Sequence, residues 1–275
     1  MIRQPELLAD VFRRFQEQGV PTTIPWLISE YGFSAFAGRS MAEIPSALLN
    51  ADIVGQFLML GGKTAYLYGY EPSTPINEGS PCAGHGQMML FEADGRGQAL
   101  WPMPTYFAAR LLTHEWAQQV NQRHRLYSAV SDISESRADE GIQRVTAYAV
   151  KRPDGKFSVM LVNKDPERAY SVRVSFVESK SVEHFVGKVA MLQYSPEQYV
   201  WKEAGTDGYP IRTKPPRQIT LRGGSPIKLP PFSLTIVRGF ASLDHLGDSR
   251  HGWPSRMGVD YGFHAIRPSR SVLGH

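Results

Sequence analysis

The spacing of apolar residues changes near Arg123, and this change limits the folds that are open to the chain. Before that point, apolar residues recur every three or four positions over long stretches, which are separated by short apolar runs. After it, short segments alternate apolar and polar residues. The first pattern is typical of helices alternating with buried strands, and the second is typical of antiparallel sheet. The sequence therefore predicts an α/β part followed by a β part.

Two helix-then-strand units are expected in the α/β part. Residues 5–18 carry apolar side chains at helical spacing, and residues 24–29 form a short apolar run that ends in a polar cluster. Residues 42–60 repeat the helical spacing, and residues 64–70 repeat the strand pattern. The apolar residues of the first predicted helix are Leu7, Leu8, Val11, Phe12 and Phe15.

One more hairpin and one more helix lead into the β part. Asp94-Gly95 marks a turn within residues 88–100, and Pro104 opens a helix. Beyond Ser242 the apolar pattern is lost, and we expect a poorly ordered tail. In the β part, strands are expected at residues 148–150, 157–162, 171–176 and 230–238.

The composition is that of an ordinary globular protein, 42% hydrophobic and 20% charged, and it argues against several classes of function. No apolar stretch approaches the roughly 20 residues that span a bilayer, so no membrane span is expected. The basic residues are scattered despite the net charge of +4, so no nucleic-acid partner is expected. Residues 1–6 lack the apolar core of a signal peptide. His245 and His251 do not have the spacing of a recognised metal site, and we predict neither a metal nor a cofactor.

The segment PWLISEYGF, residues 25–33, carries the clearest chemical signal. It places Glu30 at the end of a predicted buried strand, and (β/α)8 barrels build their active sites at the carboxyl ends of such strands. Tyr31 is expected to donate a hydrogen bond that keeps this carboxylate ionised. Alternation along the strand puts Trp26, Ile28 and Glu30 on one face, which we expect to point toward the barrel axis. A carboxylate in this position meets the requirements of a nucleophile.

This segment resembles strand seven of clan A glycoside hydrolases, the retaining (β/α)8 enzymes in which a glutamate at the end of that strand attacks the anomeric carbon. Glu30 matches that position. Residues 65–72, AYLYGYEP, resemble strand eight, which ends in an aromatic platform under the sugar. Residues 101–107 and 229–235 are similar to the final barrel helix and the β-sandwich of the β-xylosidase and arabinofuranosidase families. By alternation, the tyrosines of the strand-eight segment share a face, and they are Tyr66, Tyr68 and Tyr70.

The resemblance implies an α/β plus β fold, in which the last two or so units of a partial (β/α)8 barrel are followed by an antiparallel β-sandwich. The implied regions are a barrel portion at residues 1–118, a β-sandwich at residues 119–242 and a poorly ordered tail at residues 243–275. Glu30 is then the catalytic nucleophile, and the partner is a carbohydrate substrate. For His85, a plain surface histidine is the alternative. The expected substrate-binding residues are Tyr31, Tyr68, Tyr70 and His85.

A retaining reaction also needs a second carboxyl group about 5 Å from the first. In this clan it follows an asparagine at the end of strand four, which we expect upstream of Met1. The pair Asn77-Glu78 follows the nucleophile within a Pro/Gly-rich loop, and we do not interpret it as that acid. Two strands of eight cannot close a barrel. We therefore interpret the chain as a fragment of a longer hydrolase, and its expected partners include the missing N-terminal barrel segment.

Two other functions compete with this one. A non-catalytic module, in which the β part binds carbohydrate or another domain, stays open as the alternative. An acyl-transferring α/β-hydrolase needs a Gly-x-Ser-x-Gly elbow, and the sequence contains none. The densest aromatic group of the β part, on which a carbohydrate-binding module would depend, is Tyr194, Tyr199, Trp201 and Tyr209.

Overall fold

The computed structural model describes residues 3–21, 23–33, 38–77, 85–86, 89–131, 133, 143–178, 181–241 and 256–260. Within these ranges the regular structure is mostly strand, with three α-helices. None of these helices is long and apolar enough to cross a bilayer.

The helices confirm the helical spacing seen in the sequence. The first two follow residues 5–18 and 42–60 to within two residues, and each helix has a proline in its first turn, where the missing N–H costs nothing. The third runs directly into a π-helical turn, Leu111–Trp116, and a 3-10 turn, Gly38–Met41, precedes the second. The helices are α1 (Gln4–Glu17), α2 (Ile44–Met59) and α3 (Pro104–Arg110).

The strands fall into two groups on either side of α3. Those before it are β1 (Leu27–Tyr31), β2 (Thr64–Leu67), β3 (Ile76–Asn77), β4 (His85–Gly86), β5 (Phe91–Ala93) and β6 (Ala99–Pro102). Those after it are β7 (Arg125–Tyr127), β8 (Ala129–Ser131), β9 (Val145–Lys151), β10 (Phe157–Asn163), β11 (Tyr170–Glu178), β12 (Ser181–Glu183), β13 (Phe185–Tyr194), β14 (Tyr199–Lys202), β15 (Tyr209–Thr213), β16 (Arg217–Arg222), β17 (Ile227–Leu229), β18 (Ser233–Ala241) and β19 (Arg256–Asp260).

Strands β1 and β2 pair in parallel, and helices cover one of their faces. The ring of Phe12 in α1 lies 4.8 Å from that of Trp26 and 5.9 Å from that of Phe57 in α2. The described strands form no closed barrel, because β1 and β2 make a sheet of two.

A six-stranded antiparallel sheet, ordered β16-β13-β18-β10-β9-β7, lies at the centre of the molecule. Both faces of its middle strands are buried, which explains why β9 and β10 read as nearly continuous apolar runs. Alternate residues of β10 enter different cores. Met160 and Val162 join the core shared with α2 and α3, whereas Val159 and Leu161 join the core beneath the second sheet.

The second sheet has the order β12-β11-β19-β8, and β17 also pairs with β11. Its core contacts are aromatic: the ring of Phe176 lies 4.8 Å from Phe157 and 5.0 Å from Phe185. Strand β19 belongs to the region expected to be a poorly ordered tail, yet it pairs with β11 and β8. The sequence pattern did not predict this strand.

Helices α2 and α3 pack closely on the central sheet. The ring of Phe107 lies 5.0 Å from that of Tyr194, and Leu111 is buried in the same core. At Gly55 of α2 a side chain could not fit, because a Cβ atom would come within 2.5 Å of the Tyr148 ring. Both helices therefore lie directly on the central sheet.

A buried ion pair ties α2 to the same sheet. Lys164 Nζ lies 3.0 Å from Asp52 Oδ2, and both side chains are buried. The hydroxyl of Tyr148 donates to Asp52 Oδ1 at 2.7 Å, and the hydroxyl of Thr146 donates to the same oxygen. Burial, and then the Asp52 charge, raises the pKa of Tyr148 well above its ordinary value. The Asp52 carboxylate thus accepts from two side chains of β9 and from Lys164, which directly follows β10.

We predict that Asp52→Asn lowers the free energy of unfolding by about 3–5 kcal/mol, because it leaves Lys164 buried without its carboxylate. The amide oxygen can still accept from Thr146 and Tyr148, so the variant isolates the loss of charge. The double variant Asp52→Asn/Lys164→Met removes both charges and should recover most of that loss. Urea unfolding at pH 7 measures both, and equal losses in the two variants would contradict a role for the ion pair.

Candidate active site

The pairing of β1 with β2 contains a β-bulge at the position of Glu30. Leu27 and Ile28 pair with Thr64 and Ala65, but Tyr31 pairs with Leu67, so residues 29 and 30 together oppose one residue of β2. A bulge of this kind interrupts alternation and redirects a side chain, and such bulges are common beside active sites.

The bulge changes which residues share a face. Trp26 packs against α1, with its ring 5.2 Å from that of Phe15, and Ile28 is half-buried. Ser29 and Glu30 are both exposed. The expectation that Trp26, Ile28 and Glu30 lie on one face is therefore wrong, because alternation does not continue through the bulge. Glu30 nevertheless stands exposed near the carboxyl end of its strand.

The three tyrosines that follow in β2 and just beyond it share the uncovered face, as alternation predicts. Tyr66, Tyr68 and Tyr70 are 56%, 42% and 68% exposed, whereas the intervening Leu67 is buried. Leu27 of β1 is also 61% exposed. The face opposite α1 and α2 therefore presents a row of aromatic rings, which the described residues leave uncovered.

The carboxylate of Glu30 has no hydrogen-bond or ion-pair partner in the part of the chain that the structure describes. The hydrogen bond expected from Tyr31 does not form there. Tyr31 is half-buried, and burial, followed by the neighbouring Tyr70, raises its pKa to about 12. Its carbonyl oxygen accepts from the backbone N–H of Tyr68 at 2.9 Å. Tyr31 thus lies among the residues of the strand end and keeps its phenolic proton near neutral pH.

A hairpin formed by β5 and β6 supports the chain that leaves β2, and we call residues 69–73 the strand-end segment. The N–H of Leu90 donates to the carbonyl of Gly69 at 2.9 Å, and the N–H of Ser73 donates to that of Phe91 at 3.2 Å. The N–H of Ala93 then donates back to Ser73 at 2.9 Å. The position of Tyr70, the last tyrosine of the row, therefore depends on this hairpin.

The hairpin also carries an acid that the sequence analysis missed. Glu92 of β5 is 6% exposed, and its Oε2 atom has no hydrogen-bond partner among the described residues. Burial raises the pKa of this carboxyl to about 7. A charged residue between the apolar run Met89-Leu90-Phe91 and Ala93 was the available signal, since such a residue must either leave the core or lose its charge.

Other predicted residues are placed only in part. The backbone of His85 pairs with Asn77 between β4 and β3, but the side chain of His85 and all of Glu78 lie outside the described residues. The sugar-binding role of His85 stays a prediction. Within the described ranges, no group of three or more His, Cys, Asp or Glu side chains could hold a metal ion.

The aromatic group considered for a carbohydrate-binding module is mostly internal. Tyr194, Tyr199 and Trp201 are buried beneath α2 and α3, and burial raises the pKa of both tyrosines well above the ordinary value. Tyr209 is the member of the group that is exposed, and Lys202 lies over its ring at 5.2 Å. This arrangement argues against a sugar platform in the β part.

A cavity of about 390 Å³ lies at the open edge of the two larger sheets, away from all the predicted site residues. Its apolar wall comes from β13, β16 and β17, and its rim includes Glu197, Arg217 and Lys228. It contains no aromatic ring, so we do not assign it to the sugar site.

No protein-family model matches this chain, and no curated protein matches its sequence. Solved structures do match its fold. The GH51 arabinofuranosidase from Xanthomonas axonopodis pv. citri matches with a TM-score of 0.53 at 14% identity over 86% of this chain. Another arabinofuranosidase matches with a TM-score of 0.51 at 10% identity, and a conserved exported protein from Bacteroides fragilis with 0.51 at 9%, each over 86% of this chain.

The chain spans less than half of each of these proteins, namely 45%, 49% and 44% of their lengths. At such low identity the likeness concerns the fold alone. The chain therefore has a fold similar to that of part of a glycoside hydrolase.

Proposed function

We propose that this chain is part of a retaining glycoside hydrolase in which Glu30 is the nucleophile. In this proposal β1 and β2 are the last two strands of a (β/α)8 barrel within residues 1–118, and residues 119–242 form a β-sandwich. Residues 243–275 are the tail, from which β19 joins the second sheet. The observation that carries the proposal is an exposed, unpaired carboxylate near the carboxyl end of a parallel strand, beside a row of exposed tyrosines.

The order α1, β1, α2, β2, α3 supports a barrel, because parallel neighbours need a crossover that is usually helical. Parallel sheets are buried on both faces in nearly all proteins, and helices cover only one face of β1 and β2. The uncovered face and the unpaired strand edges are what the remaining strands of a barrel would complete. We therefore propose that other strands of the enzyme, outside residues 1–275, cover this face.

The chemistry follows from the state of Glu30. Its carboxylate has no described partner to neutralise it, so its oxygens are free to attack an anomeric carbon. The glycosyl ester would form as the bond to the leaving oxygen breaks, and a second carboxyl group would give that oxygen a proton. Water would then cleave the ester with the same group acting as base. We assign that second group to the strands outside residues 1–275.

We propose Tyr31, Tyr68 and Tyr70 as substrate-binding residues. The rings of Tyr68 and Tyr70 stand on the uncovered face near the strand end, where they can pack against the apolar face of a sugar. Tyr31, with a pKa of about 12, keeps a proton to donate to a hydroxyl across the working range of pH. We retain His85 as a fourth candidate, since β4 follows the strand-end segment in the chain.

We predict that the purified 275-residue chain cleaves aryl glycosides poorly. Loss of an acid/base group costs roughly 10²–10⁴-fold in rate, and the uncompleted barrel adds to that loss. Initial rates on aryl arabinofuranosides and aryl xylosides measure this, with Glu30→Gln as the background. Turnover near that of complete arabinofuranosidases would show that residues 1–275 contain the second acid.

A further prediction concerns chemical rescue in the complete enzyme. Glu30→Gly should abolish turnover of activated aryl glycosides, and azide should restore it by attacking the anomeric carbon from the vacated side. The product should be a glycosyl azide of inverted configuration, which NMR identifies. The matched control is Glu71→Gly, an exposed acid a few residues beyond β2, which should stay active without azide.

Because Glu30 is exposed and unpaired, Glu30→Gln should change the free energy of unfolding by no more than about 0.5 kcal/mol. A large change would assign Glu30 a structural role. Rescue that yields an azide of retained configuration would make Glu30 the acid/base rather than the nucleophile. Full activity without azide would remove Glu30 from the mechanism.

A further inference from the structure

Glu92 of the β5–β6 hairpin is a buried acid whose burial the contacts described so far do not explain. Buried charges in proteins are nearly always paired, and a buried polar atom without a partner is costly. Glu92 is 6% exposed, and its Oε2 atom is buried with no hydrogen-bond partner in the described part of the chain. Neither the packing of the hairpin nor the proposed reaction requires a carboxyl group at this position.

The hairpin that carries Glu92 is held on two sides. On one side, backbone hydrogen bonds join it to the strand-end segment. On the other, the hydroxyl of Thr213 in β15 donates to the carbonyl of Pro102 at 3.0 Å, and the ring of Phe91 lies 4.9 Å from that of Tyr106 in α3. Loosening this hairpin would therefore release the strand-end segment.

The described titratable groups around Glu92 supply no positive charge to it. Tyr199 of β14 interacts electrostatically with Glu92. Burial is the main cause that raises the pKa of Tyr199, and the smaller contributions come from Tyr194, Glu92 and Glu43, in that order. Glu43 is itself paired with Arg39, whose Nε lies 2.7 Å from its carboxylate. Ionised Glu92 would thus act on the neutral phenol of Tyr199, with no positive charge among the described groups to offset it.

We propose that Glu92 is a protonation-controlled latch on the β5–β6 hairpin. When its carboxyl is neutral, the hairpin stays packed on β15 and α3 and holds the strand-end segment with Tyr70 in place. When the carboxyl is ionised, it draws water into the interface, and the hairpin separates from its support. The latch depends on burial and hairpin packing, so it holds whether or not Glu30 is a nucleophile.

The direction of the pH dependence follows from linkage. Burial raises the pKa of Glu92 from its ordinary value of 4.5 to about 7. A group whose pKa is raised on folding contributes stability that is fully present below its unfolded pKa and is lost as pH rises through its folded pKa. The latch is therefore closed in mildly acidic solution, and it opens as pH rises through about 7.

Trp101 provides a reporter within the hairpin, because it pairs with Glu92 across β5 and β6. We would follow its fluorescence from pH 5 to 9, with Trp101→Phe identifying its signal among the five tryptophans. Hydrogen exchange of residues 91–102, corrected for the intrinsic effect of pH, would be measured on the same samples. In the wild-type chain, exchange should rise at least about tenfold between pH 5 and 8, as a pKa shift of one unit or more requires.

Glu92→Gln is neutral at every pH and should abolish this rise and the accompanying red shift of Trp101. It should unfold at a higher urea concentration than the wild type at pH 8 and at a similar one at pH 5. Glu92→Met serves the same purpose if the amide disturbs folding. Glu43→Gln, the matched control, should keep the wild-type profile. Parallel profiles for the wild type and both Glu92 variants, or a flat profile for Glu43→Gln, would overturn the proposal.

Discussion

The packing of α2 and α3 onto one face of the six-stranded sheet is the interaction on which the rest of the structure depends. That sheet separates two apolar cores, and its central strands have no free face. The contact between Gly55 and the Tyr148 ring brings α2 close, and the Asp52–Lys164 pair fixes its position. Because β1 and β2 flank α2 in the chain, the place of Glu30 is set through this packing.

Much of the first half could be predicted because its signals are local. Helical spacing gave α1 and α2, and short apolar runs gave β1 and β2. The side of the sheet on which Glu30 lies could not be predicted in the same way, because a bulge is a property of two paired strands rather than of one. Strict alternation placed Glu30 with Trp26, whereas the bulge leaves Trp26 on α1 and Glu30 in the open.

The remaining differences involve contacts between distant parts of the chain. Asp52 and Lys164 are 112 residues apart, and no local pattern marks them as partners. Tyr194 and Trp201 look like candidates for an exposed sugar platform until α2 and α3 cover them. Glu92 belongs to the same class, since the sequence cannot tell which face of a short hairpin will meet the core. Burial by a distant element decides the chemistry of each.

The central claim is that the open carboxylate of Glu30 forms a covalent bond to sugar in the complete hydrolase. Trapping that enzyme with a 2-fluoro glycoside that carries a good leaving group, and mapping the labelled peptide by mass spectrometry, tests this directly. The account predicts a label on Glu30 that Glu30→Gln eliminates and Glu71→Gln leaves intact. A label on any other residue, or stable labelling of the Glu30→Gln variant, would contradict it.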